Sequence, residues 1–443
     1  MGRLWGALCL ILSLGGASVA AETVTLTNEE LLGLAGRALT SGDAPLAAAI
    51  SRTYLEENPE DARAHLILGR AVLRLEDTDQ AFESARKAYR LASDDPLKTQ
   101  AAVLAAEAAL IADRLGVAER WFARAAWHAG PGPERDALRR ALARTRQLNP
   151  TRVFLSFSVQ PSSNVNGGAN SASYVAEGVP FVGTLSESAQ ALSGTVADLS
   201  FAVRHRVRET RQNRTTLGFA AFAREVWLSD DAQEKAPDLS DGDLAYRRLD
   251  VSLRHEYAVG PTRSWEFGAT FGADREGGVD QNRIFALDTV WRERVADDHL
   301  LRAGLRVQWD DPFDADDDPA TTYALRGAWR VRAGPGVFSV TAEVSERDTD
   351  DDFERFHGAS LSVRYAFRRE GWPVTIALSA GQTYTRYPDY TVLGVPVTDG
   401  RRDRRNRISA DATFDFEAVA GFRPVLSLTA EETHSNVSRF ETE

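Results

Sequence analysis

The residues Leu301-Arg302-Ala303-Gly304-Leu305-Arg306-Val307-Gln308-Trp309-Asp310 alternate without a break between apolar side chains and small, polar or charged ones. Successive side chains of an extended chain point to opposite faces, so the stretch predicts a β-strand with Leu301, Ala303, Leu305, Val307 and Trp309 on one face. The other face carries Arg302, Arg306, Gln308 and Asp310. A soluble sandwich would bury the apolar face in a core. Here the pattern recurs about a dozen times at near-regular spacing with arginine on the polar side, which is how a transmembrane β-barrel reads, lipid outside and water within.

The expected strands cover residues 152–160, 194–207, 214–228, 245–259, 263–273, 283–295, 299–310, 321–332, 337–346, 357–368, 372–386, 405–418 and 422–433. Their connections alternate. Short links such as Gly260-Pro261-Thr262, Ala296-Asp297-Asp298, Ala333-Gly334-Pro335-Gly336 and Arg369-Glu370-Gly371 take turns with long ones over 161–193, 229–244, 274–282, 311–320, 347–356 and 387–404. Short periplasmic turns alternating with long external loops are the habit of outer-membrane barrels. The aromatics agree: Trp265, Trp291, Trp329 and Trp372 sit at the short-link ends, and Trp227, Phe285, Trp309 and Tyr323 at the opposite ends, as two interfacial girdles. An even strand number is the rule for single-chain bacterial barrels. The expectation is therefore an antiparallel barrel of about 14 strands over 151–443 whose last strand is missing from the sequence.

Outside the barrel the chain of 443 residues carries two further parts. Arg3, an apolar run from Leu4 to Leu14 and small residues ending at Ala20-Ala21 predict a secretory signal peptide over 1–21. Cys9, the single cysteine, lies inside that run, so the mature chain offers no disulfide, thiol nucleophile or cysteine-bound metal. Residues 22–150 change period to about 3.6, rich in Ala and Leu. Ala35, Ala38, Ala47 and Tyr54 before Pro59 recur as Gly69, Val72, Ala81 and Ala88 before Pro96, and as Ala106, Ala109, Ala118 and Ala125 before Pro131. Steps of about 34 to 37 residues with small side chains at helix crossings resemble the tetratricopeptide repeat (TPR), although the consensus tryptophan and tyrosine are absent. The fold class expected is α+β and multidomain, a helical solenoid followed by the barrel.

If the first helix of each repeat lines the concave face, Leu32, Leu39, Leu66, Leu73, Val103 and Leu110 stand there with Arg63 and Arg70, a groove for an extended peptide or helix. The competing reading makes the leucines intra-repeat core. On the barrel's polar side Arg204, Arg206, Arg254, Arg302, Arg306, Arg326, Arg330 and Arg364, with Asp250, Glu256 and Asp288, are expected to line a charged lumen or to pair across it as filling.

A signal peptide, a short TPR domain and a barrel of this size together resemble the Slam family, the surface lipoprotein assembly modulators. Two motifs support the resemblance: Pro161-Ser162-Ser163-Asn164-Val165-Asn166 after the first strand, and Glu432-Thr433-His434-Ser435-Asn436-Val437 after the last. What the resemblance implies is an outer-membrane translocon that acts by binding and passage. Its periplasmic repeats would receive a client lipoprotein or other secreted protein, and its barrel, inserted by the barrel assembly machinery as a monomer among lipid and lipopolysaccharide, would bring the client to the surface. Asn164, Asn166, Ser435 and Asn436 would shape the loops at the seam between first and last strands, or serve as turn formers.

Other chemistry is thin. The net charge of −12 argues against nucleic acid. The acidic loops around Asp310–Asp318 and Asp348–Asp352 lack the spacing of a calcium loop, and Arg401-Arg402-Asp403-Arg404-Arg405 is expected in an external loop, solvated or against lipopolysaccharide. No carboxylate pair stands in a catalytic motif, so neither enzyme activity nor a cofactor is expected. The second functional reading is a TPR-coupled conduit for exopolysaccharide; the Arg, Asp, Ser, Thr and Gly of the inward positions favour protein over sugar.

Overall fold

The computed structural model describes residues 27–414 and 422–443. The expected signal peptide, and residues 415–418 of one expected strand, lie outside them. The chain divides into two compact units with the boundary between Asn149 and Pro150.

The first unit is a row of helices: α1 (Asn28–Thr40), α2 (Ala44–Glu57), α3 (Ala62–Arg74), α4 (Thr78–Leu91), α5 (Asp95–Ile111), α6 (Leu115–His128) and α7 (Pro133–Leu148). Aspartates start four of them. Asp43, Asp61, Asp77 and Asp94 accept backbone N–H bonds from Leu46, Ala64, Gln80 and Leu97 at 2.7–3.1 Å, each cap stabilising its helix by about 1 kcal/mol. The turn inside each helix pair rests on one left-handed residue, Gly42 (φ 91°), Glu76 (φ 64°) and Asp113 (φ 55°), at matching places in the three repeats. Each helix packs on the next, and α1 on α3 and α3 on α5 as well, so the pairs stack as a solenoid. The small residues stand where the helices cross: Ala35, Ala47, Ala81, Ala106 and Ala118 are fully buried. A side chain at Gly69 would meet Leu104, Ser84 and the Ala81 carbonyl.

The second unit is a 13-stranded sheet in which every strand pairs antiparallel with its sequence neighbours. We number its strands β1 (Thr151–Ser162), β2 (Gly194–Glu209), β3 (Asn213–Leu228), β4 (Tyr246–Ala258), β5 (Arg263–Glu276), β6 (Val279–Ala296), β7 (His299–Pro312), β8 (Ala320–Ala333), β9 (Gly336–Thr349), β10 (Phe356–Phe367), β11 (Val374–Tyr387), β12 (Arg401–Phe414) and β13 (Val425–Ser435). The opening stretch forms β7, and its register sets Trp309 beside Phe285 and Val307 beside Tyr323 on the apolar face. The Phe285 and Trp309 rings stack 5.3 Å apart. That face is open to the surroundings: Phe157, Phe271, Ile408 and Leu428 are 67%, 61%, 62% and 69% exposed.

The sheet curls, because residues from β1, β2, β3 and from β10 to β13 line one cavity of about 870 Å³. Its polar face is therefore concave. It is not a closed barrel: among the described residues β1 pairs only with β2, and β13 only with β12.

Two expectations about the connections fail. The loop expected over 274–282 is a tight turn at Gly277-Gly278, whose φ values of 57° and 80° glycine adopts at no steric cost, so β5 and β6 continue past the expected ends. The arginine run expected in an external loop belongs to β12, which begins at Arg401.

Candidate functional site

The solenoid offers a polar strip where an apolar groove was expected. Leu39 and Leu66 are 6% and 4% exposed and belong to the core. Leu73, Val103 and Leu110 are half-buried against that core, and Leu32 is half-buried on α1. Their hydrophobicity goes into holding helices together. Accessible on α3 and α5 are the polar Arg63, Arg70, Arg74, Gln100 and Glu107, while the apolar Ile111 at the end of α5 is 64% exposed. Arg70 donates to the Gln100 side chain at 2.9 Å, and Arg74 donates to the Leu39 carbonyl. Desolvation pushes the Glu107 carboxyl up, against the pull of the Arg70 charge, and desolvation pushes Arg70 down. The two histidines are structural. His65, 6% exposed, donates through Nε2 to the Pro59 carbonyl at 2.9 Å, and His128 is held between the Tyr89 hydroxyl at 2.8 Å and Asp95 at 2.7 Å.

The concave face of the sheet brings most of the expected arginines to carboxylates. Arg306 meets Asp288 at 2.9 Å, Arg326 meets Glu343 at 2.5 Å and Arg364 meets Asp411 at 2.8 Å. Arg254 and Arg292 share Glu266 at 3.6 and 2.8 Å, and Arg292 reaches on to Glu256 at 3.5 Å. Arg248 holds Asp250 at 2.9 Å. Arg204 lies 5.2 Å over the Phe154 ring, and Arg206, at the bulge in β2, pairs with Glu209 at 2.7 Å. Arg302 stands opposite Arg292, and Arg330 opposite Ser339. Sequence reasoning missed Arg347, 19% exposed, whose guanidinium bridges Asp310 at 2.7 Å and Glu354 at 2.8 Å. It was expected in the long connection over 347–356, whereas β9 runs on to Thr349 and sets Arg347 within reach of Asp310 on β7.

The motif asparagines stitch loops. Asn164 and Gly168 bond to each other in both directions at 2.8 Å. Asn166 donates to the Ser188 and Gln190 carbonyls at 2.9 Å and accepts from the Leu192 amide at 3.0 Å. Asn436 accepts from the Arg402 amide at 2.7 Å and donates to the Gly400 carbonyl at 2.9 Å and to Glu177 at 3.3 Å. The Ser435 hydroxyl accepts from the Val437 amide at 3.1 Å. The connections after β1 and β11 and the stretch after β13 thus fold into one cap, with Ala176, Tyr390, Val392, Val397 and Val437 as its core. Under it lies Arg401, 8% exposed, paired with Asp403 at 2.9 Å. Its guanidinium packs 3.7 Å from the Tyr387 ring centre and 3.5 Å from that of Phe440. Delocalised charge and a flat shape let arginine, unlike a solvated loop cation, be enclosed by rings.

No family model and no curated protein matches the sequence. Solved structures similar to it include a type III secretion complex from Aeromonas hydrophila, 22% identical with a TM-score of 0.24, the match covering 27% of this chain and 79% of that one. Another is the Yersinia enterocolitica type III secretion translocator chaperone SycD, 22% identical with a TM-score of 0.26, covering 31% of this chain and 96% of the other.

Proposed function

We propose that this chain is an outer-membrane delivery factor of the Slam type, in which the helical repeats receive a lipoprotein or other secreted protein and the barrel-like sheet brings it to the cell surface. The observation that carries the reading is the division of the sheet into a broad exposed apolar face and a concave face dense with ion pairs. Soluble monomers rarely leave apolar patches of that extent in water, whereas lipid receives them without cost. A sheet of this kind placed after a repeat unit with an accessible strip of arginine, glutamine and glutamate suits a conduit with its own client-handling arm.

The test is surface delivery. The protein is expressed in a heterologous outer membrane together with a candidate lipoprotein client, and intact cells are probed with an antibody to that client. Surface signal that is lost when residues 27–149 are deleted supports the reading and assigns client reception to the repeats. Absence of signal from a folded, heat-modifiable protein, across a panel of lipoprotein clients, refutes it.

A further inference from the structure

Four arginines of the concave face surround a floor of short side chains. Register sets Arg302, Ala328, Thr341 and Ser362 side by side on β7, β8, β9 and β10, strands that each pair on both sides. Arg326 and Arg330 lie two residues to either side of Ala328 on β8, which makes both diagonal neighbours of Arg302, about 7–8 Å away and within reach of a long side chain. Arg364 lies two residues beyond Ser362 on β10, opposite Ser339. Carboxylates are short here. Glu343 serves Arg326 and Asp411 serves Arg364, while among the described residues the side chains of Arg302 and Arg330 have neither an ion pair nor a hydrogen bond. The charges acting on Arg302 are those of Arg292 and Arg326, opposed by Glu266, which Arg254 and Arg292 already engage. The whole chain carries −12, so this local excess of positive charge does not follow from composition.

We infer that this basin binds one phosphate group, with Arg302 and Arg330 supplying the charge that no carboxylate neutralises and Arg326, Arg364 and the Thr341 hydroxyl completing its bonds. An anion among the four guanidinium groups removes their mutual repulsion and gains charge-assisted hydrogen bonds. Arg326 and Arg364, 64% and 47% exposed, can turn toward it without leaving a buried partner behind. The arrangement favours a tetrahedral dianion over a carboxylate. A planar carboxylate is satisfied by one arginine fork, whereas phosphate oxygens accept donors from several sides at once. The floor of Ala328, Thr341 and Ser362 leaves room for such a group above the sheet, where a longer side chain would fill it. The basin stands whether or not the chain delivers a client.

The full chain in dodecyl maltoside micelles is titrated with inorganic phosphate by calorimetry, at an ionic strength held constant with chloride. One phosphate is expected per chain. Arg302→Gln and Arg330→Gln should each weaken its binding by about tenfold or more, and Thr341→Val, which keeps shape and charge, by about fivefold. Arg214→Gln on β3, 52% exposed and paired with Glu209, should leave it unchanged. Neither Arg302→Gln nor Arg330→Gln strands a partner, so both variants should resist heat on gels at least as well as the parent, which separates lost binding from lost folding. Phosphate binding no tighter than that of acetate or chloride overturns the inference, as does binding that the two glutamine variants leave intact or that Arg214→Gln weakens equally. A lower thermal transition in either glutamine variant would mean that its arginine is already neutralised in place, and overturns it too. Once phosphate binds, dilauroyl phosphatidic acid added to the micelles tells its source: displacement of inorganic phosphate assigns the basin to a lipid headgroup, and no displacement assigns it to phosphate on a soluble molecule.

Discussion

Replacing Arg347 with alanine tests whether the concave face is held by charge pairing. The side chain is 19% exposed and donates to Asp310 at 2.7 Å and to Glu354 at 2.8 Å. The two ends differ in worth. Glu354 is 55% exposed, so its bond contributes no more than about 1 kcal/mol. Asp310 is 8% exposed, and breaking a buried pair from one side costs about 3–5 kcal/mol because a charge is left behind without its partner. Asp310 keeps its bond from the Gln308 side chain at 2.7 Å, which puts the expected loss near the lower end, about 3 kcal/mol. That is about two powers of ten in the unfolding equilibrium. Heat modifiability on gels, followed as a function of temperature in detergent, reads the loss as a lowered transition. Arg347→Ala combined with Asp310→Asn removes the stranded charge and is expected to recover more than half of it. A single variant as stable as the parent, or a double variant no better than the single, refutes the account.

Three further outcomes are expected. Gly69→Leu places a side chain against Leu104, Ser84 and the Ala81 backbone where α3 crosses α4 and α5, and should destabilise the helical unit by about 1–3 kcal/mol, read by circular dichroism on heating. Burial pushes the His65 imidazole below its ordinary value of 6.5, so the unfolded chain takes up the proton first. The helical unit should therefore lose stability as pH falls through about 6.5 toward the folded value and show no such dependence above it, and His65→Gln should flatten the slope between pH 7.5 and 5. Arg401→Ala removes a desolvated cation from the Tyr387 and Phe440 rings, about 2 kcal/mol, and leaves Asp403, 14% exposed, without its partner. Limited proteolysis within residues 388–400 should quicken at least tenfold, while cutting in the helical unit stays unchanged.

The thirteen strands were legible because a period of two, repeated with turn residues between, has few other solutions. Their ends were not. Strand β12 was expected at 405 because Arg401 to Arg405 reads as a charged loop, yet Tyr387, Tyr390 and Phe440 enclose Arg401, and those rings come from the end of β11, the connection after it and the stretch after β13. The turn at Gly277-Gly278 was hidden by the charges around it, since charge alone does not distinguish a strand that projects from the sheet from a loop. In the helical unit the small residues at 34 to 37 residue steps located the crossings, but a leucine on a helix facing its own pair and one facing a groove share the same period. Leu39 and Leu66 show which way the energy lies: burying such a side chain stabilises by about 1.5–3 kcal/mol, which an empty groove does not supply.

The polar face was legible as a class of residue and not as a set of pairs. A carboxylate partner on a neighbouring strand lies far away in sequence, 17 residues for Arg326 with Glu343 and 47 for Arg364 with Asp411, and which strands become neighbours depends on every turn between them. The pairs also differ in what they can do. Arg347 with Asp310 is closed to solvent and fixes the wall. Arg326 and Arg364 are 64% and 47% exposed, so their pairs contribute no more than about 1 kcal/mol each. A charged segment passing such a face can take one partner from a pair and give one back, with little change in the number of satisfied charges. Under the delivery reading this makes the concave face a surface over which a polypeptide exchanges contacts, and the buried pairs the part that keeps its shape while it does so.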